Sequence, residues 1–85
     1  MQIEHLVTMA NQIGDFFKSF PDQDQAKKDI AHHISGFWAN SMRQQILLHV
    51  QNQNGAGLDG LVRDAISEHL DNANAIYISS TSVGG

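Results

Sequence analysis

The side chains here that could do chemistry are five histidines, a scatter of serines and nine carboxylates, set against five Lys and Arg. No cysteine is present, which removes thiolate metal sites, disulfides and a cysteine nucleophile together. His32 and His33 are neighbours, so on a helix they diverge by about 100° and cannot easily grip one ion. Helical metal sites pair a His with another three or four residues away, and His32, His33, His49 and His69 all lack that partner. A metal site would have to be assembled across helices. The plainer reading leaves His33 and His49 partly buried and hydrogen-bonded, with His5, His32 and His69 in solvent. No Gly-x-Ser-x-Gly elbow occurs, and periodicity brings no Ser, His and Asp together. The acidic residues fall on solvent faces rather than in pairs at a cleft. The expectation is a chain with no catalytic, cofactor or metal site: a binding module.

Charge and length narrow the partners. A net charge of −4 repels phosphate backbones and argues against nucleic acid. No apolar stretch approaches membrane-spanning length, and no basic segment precedes an apolar run at the N-terminus. The expected setting is cytoplasmic. Eighty-five residues suffice for one domain, which buries only about 60–65% of its unfolded surface and gains from a partner.

The elements that must position any binding residues are helical. Ile3, Leu6, Val7, Ala10, Ile13, Phe17 and Phe20 recur at three- and four-residue steps, predicting an amphipathic helix over Ile3–Phe20. Phe16 falls beside that seam and widens it. Gly14 within it suggests a close helix crossing, and Pro21 ends the element. Asp22, three residues before Gln25, predicts a capped second helix with Ala26, Ile30, His33, Ile34 and Phe37 inward and Lys27, Lys28 and Asp29 outward. Gly36 weakens its end, and Asn40 is placed to cap a third helix carrying Met42, Ile46, Leu47, His49 and Val50, with Leu48 exposed. Gln51–Gly57 reads as a polar loop. Leu58, Leu61, Val62, Ala65, Ile66 and Leu70 make the cleanest stripe of all. The expected fold is all-α: a small bundle of about four helices over 1–72, with a flexible tail over 73–85. In that tail Ala75-Ile76-Tyr77-Ile78 is a short β-like run that docks as an extended arm or stays disordered. The terminal Gly84-Gly85 is similar to ubiquitin-like tails, but the strands of that fold are missing.

The candidate contact residues gather where the second helix meets the third. His33, Phe37, Trp38, Met42 and Arg43 lie within eleven residues, and Trp38 is the only tryptophan. Trp and Arg are enriched at binding hot spots, so Phe37, Trp38, Met42 and Arg43 are expected to form a partner-binding core with His33 in support. Two alternatives stand beside it. Phe37 could be core while only Trp38 and Arg43 touch the partner, or Trp38 could itself be core, since a single Trp in a small domain buries roughly 150–250 Å².

The same stretches carry a family likeness. Leu6-Val7-Thr8-Met9-Ala10-Asn11-Gln12-Ile13 with Phe16-Phe17, then Phe20-Pro21-Asp22, then His33-Ile34-x-x-Phe37-Trp38-x-x-x-Met42-Arg43, resemble the delta subunit of the NAD-dependent formate dehydrogenases. The likeness runs from about Ile3 to Leu70. Asn40 stands where that family tends to have Pro, and either residue suits a helix start. What the resemblance implies is a non-catalytic accessory subunit of a molybdenum- or tungsten-dependent enzyme. It would bind the catalytic subunit and support assembly, maturation or stability, while other subunits carry the pterin, iron–sulfur, FMN and NAD sites. From the residues alone, the alternative is a self-associating helical regulator or ligand-binding bundle that buries the Ile3–Phe20 seam in a homodimer.

Overall fold

The computed structural model describes residues 2–70. Among them lie four helices and no strand: α1 (Ile3–Phe17), α2 (Gln23–Phe37), α3 (Asn40–Gln53) and α4 (Gly60–Ala65), the last continuing as a π-helical segment, Ile66–Leu70. The all-α expectation holds for these residues. The expected boundary at 72 and the run Ala75–Ile78 lie outside the described residues.

Helix α1 stops one turn earlier than the periodicity predicts. Pro21 disfavours helical geometry at Phe20, so Phe20 N–H turns back to Phe17 O at 3.0 Å. The Gln23 side chain then donates to Lys18 O at 3.2 Å and Phe20 O at 2.9 Å, satisfying carbonyls the helix end leaves open. Asp22 caps α2 as expected, accepting from Gln25 N–H at 3.1 Å. The Gln25 side chain runs to Asp29 at 3.0 Å rather than back to the cap, so only half of a capping box forms.

The start of α3 corrects the sequence reading. Ala39, not Asn40, is the N-cap and makes no side-chain cap, while Asn40 is the first helical residue. The helix also runs past Gln51 to Gln53, and Asn54 ends it in the left-handed region at φ 58°. The loop that follows is held from two sides. His49 Nε2 donates to Ala56 O at 2.7 Å, and the Asn11 side chain both donates to Gly57 O and accepts from Asp59 N–H.

The core is one contiguous cluster. Its wholly buried members include Leu6 from α1, Ile30 and Ile34 from α2, Ile46 from α3, and Val62 and Ile66 from the last element. Burial of such side chains supplies the main stabilising term, roughly 1.5–3 kcal/mol each. Lys27, expected on the solvent side, instead covers its stem against the protein and reaches Glu68 at 2.9 Å, with Asp24 at 3.6 Å. The hydrogen bond that the Lys27 ammonium donates to the Glu68 carboxylate holds the lysine pKa above its ordinary value, against an opposing effect of burial. It pins the π-helical segment to one flank of α2.

Gly14 sits where α1 crosses α4, and an added Cβ would fall inside contact distance of Val62 Cγ2. Val62 is stiff at χ1 and cannot swing aside freely. Gly14→Ala is therefore expected to lower stability by up to about 2 kcal/mol, because an overpacking cost of about 1–3 is set against a helix-propensity gain of about 1. Urea denaturation checks this, and the penalty should vanish in a Val62→Ala background.

Candidate partner-docking surface

The corner between α2 and α3 divides the predicted contact residues into two groups. Phe37 ends α2 with its ring 77% exposed, whereas Trp38 is only 8% exposed and belongs to the core. Backbone geometry is the reason. Trp38 leaves the helix in an extended conformation (φ −87°, ψ 144°), which turns its side chain inward just as the helical register carries Phe37 outward. The expected inward position of Phe37 is thereby corrected, and in the single chain Trp38 packs into the core. The reading of Trp38 as core is the one the structure bears out.

Arg43 and Met42 also serve the corner. Arg43 Nη1 donates to Ser35 O at 2.9 Å and Nη2 to Asn40 Oδ1 at 3.0 Å. The guanidinium satisfies a carbonyl in the last turn of α2 and ties it to the first turn of α3, a typical task for a cation at a helix C-terminus. Met42 is half-buried and packs against the core.

His33 stays with Phe37 at the surface. Their rings stack with centroids 4.6 Å apart and planes inclined by 30°. His33 is half-buried and also forms one wall of an open groove of about 450 Å³ between α2 and α1, whose other walls are Met9, Gln12, Ile13, Phe16 and Phe17. Phe16 is 70% exposed and meets Phe17 edge-on at 4.9 Å, and Phe20 joins them at 5.3 Å from Phe17. The result is a surface with a Phe at either end and a groove, lined without formal charge, between them. Single exposed apolar residues are ordinary, whereas an aromatic patch beside a groove is a candidate docking surface. The sequence reading named His33 and Phe37 and missed Met9, Gln12, Ile13, Phe16 and Phe17 as a site. The available signal was Phe16, an aromatic lying just off a seam already complete without it.

Among the described residues no three His, Asp or Glu are placed to hold a metal. His5 and His32 are exposed, as expected; His69 is instead half-buried, with Nε2 at 3.9 Å from a Glu68 oxygen. No helix among the described residues is long and apolar enough to cross a membrane.

The family model of the NADH-dependent formate dehydrogenase delta subunit, FdsD, matches residues 5–66. The chain belongs to that family. The match takes in α1 to α4, and so covers every residue of the groove, the His33–Phe37 stack and the Trp38–Arg43 corner. No curated protein and no solved structure matches the chain. Membership in a delta-subunit family implies association with a formate dehydrogenase complex.

Proposed function

We propose that this FdsD-family chain is a non-catalytic accessory subunit that docks on the catalytic subunit of a cytoplasmic NAD-dependent formate dehydrogenase and supports its assembly, maturation or stability. The observation that carries the docking is the surface on which Phe16 and the Phe37–His33 stack flank an uncharged groove. Phe37 and His33 make the contact. Trp38, Met42 and Arg43, the other members of the expected contact set, act from beneath by holding the corner that presents it. Chemistry that needs thiolate-bound clusters belongs to other subunits, because this chain has no cysteine.

The self-associating alternative finds little support in α1. Leu6, Ala10 and Gly14, the centre of its seam, are already buried within the single chain. An affinity pull-down tests the proposal, using tagged protein in extract from cells that express the enzyme. The catalytic subunit should co-purify with wild type and be lost with a Phe16→Ser/Phe37→Ser double variant. Recovery by both forms would move the interface elsewhere. No recovery by either would overturn the docking.

A further inference from the structure

The docking surface is complementary to itself. Phe37 stands out from the end of α2 with its ring mostly exposed, and the residue it stacks on, His33, is a wall of the α1/α2 groove. A knob and a hole therefore share one face. We propose that the free protein forms a symmetric dimer in which the Phe37 ring of each copy enters the α1/α2 groove of the other, covering the docking surface until the catalytic subunit takes it. The covering role rests on the docking reading above; the dimer does not.

Symmetry, charge and area favour a second copy as the occupant. When two copies of one face meet, a two-fold axis in the interface, midway between knob and hole, exchanges them, so the Phe37–groove contact is made twice. The groove of about 450 Å³ has room for a phenyl ring, and Met9, Ile13, Phe16 and Phe17 offer that ring apolar walls. Each copy carries a net charge of −4, so two copies repel wherever carboxylates meet. No Asp, Glu, Lys or Arg lines the groove. Asp15, next to Phe16, is paired with Lys18 at 3.2 Å, and Asp29, one turn before His33, accepts from the Gln25 amide at 3.0 Å. With rings of about 150–250 Å² each, the exposed parts of Phe16, Phe20 and Phe37 offer roughly 700 Å² over two copies. The groove walls add to that, which brings the contact close to the about 1,000 Å² at which specific interfaces begin. A contact of this size is weak and reversible, as a removable cover must be. It uses the exposed edge of α1 and leaves the seam of Leu6, Ala10 and Gly14 buried where it is.

Analytical ultracentrifugation of the full chain reads the association. The mean mass should rise from one chain toward two between about 1 μM and about 1 mM, the range of a weak interface. Phe37→Ser should weaken the dimer by about tenfold or more, because each lost ring is lost twice. Leu48→Ser, which removes an exposed leucine of α3 instead, should leave it unchanged. In a mixture of isotope-labelled and unlabelled copies, nuclear Overhauser cross-peaks are expected between the Phe37 ring of one copy and the Met9 methyl of the other. A chain that stays monomeric throughout, or a dimer without those cross-peaks, would overturn the proposal. Titration with the purified catalytic subunit then tests the cover. The cross-peaks between copies should vanish as the complex forms, and their persistence in the complex would overturn the covering role. A catalytic subunit that fails to bind even at dilutions where the chain is monomeric would sink the docking reading and leave the dimer standing.

Discussion

Trp38→Ala is expected to cost about 3–5 kcal/mol and to leave the free protein only marginally stable. The ring is buried in the same cluster as Ile34 and Ile46, at the corner between α2 and α3. Removing it deletes a large apolar area and leaves a cavity, because Arg43 holds the corner to both helices and prevents the gap from closing. A domain of this size has a total stability of only about 5–10 kcal/mol, so the loss consumes much of it. Urea denaturation followed by circular dichroism measures the effect. Trp38→Phe should retain a folded chain of intermediate stability. A Trp38→Ala protein with native helicity and an unchanged midpoint would show the ring to be interfacial instead.

Phe37→Ser is expected to do the opposite. The ring is mostly in solvent and stacks on His33, so stability should stay within about 0.5 kcal/mol of wild type. Affinity for the catalytic subunit should fall by about 10- to 30-fold, equivalent to about 1.4–2 kcal/mol, as when one aromatic anchor is removed from an interface. Isothermal titration calorimetry reads the affinity and a thermal melt reads the fold. Loss of both together would make Phe37 structural, and an unchanged affinity would remove it from the interface. The contrast between two adjacent aromatics is the sharpest consequence of the corner.

Much of the fold was legible because it rests on local rules. The three- and four-residue spacing of Leu6, Ala10, Ile30, Ile34, Val62 and Ile66 reports burial on helix faces, and all six are fully buried. Asp22 announced a helix start through a hydrogen bond to a residue three positions away. Gly14 announced a close crossing, although Val62 as the residue met there could not be known from α1 alone. Lys27 was misplaced because its partner, Glu68, is 41 residues distant and ordinary charge patterning put both in solvent.

The candidate site was legible only in part, and for the same reason. Residue types near the α2–α3 junction pointed to an aromatic contact, but they could not say which ring faces out. That depends on whether the helix ends at Phe37 or a residue later, a matter of backbone geometry that the extended conformation of Trp38 (φ −87°, ψ 144°) settles. The groove needs Phe16 and His33 on facing helices, 17 positions apart in the chain, and no periodicity within one helix contains that information.

By itself the sequence determined the helical class, the positions of the helix faces, the lack of thiolate chemistry and the family. Each of these is a property of residue types and short spacings. The tertiary structure alone decided that Trp38 is support and Phe37 is surface, that Arg43 clamps a corner, and that α1 and α2 leave a groove between them. Those outcomes depend on how helices pack, where burial of one side chain excludes its neighbour from the same space.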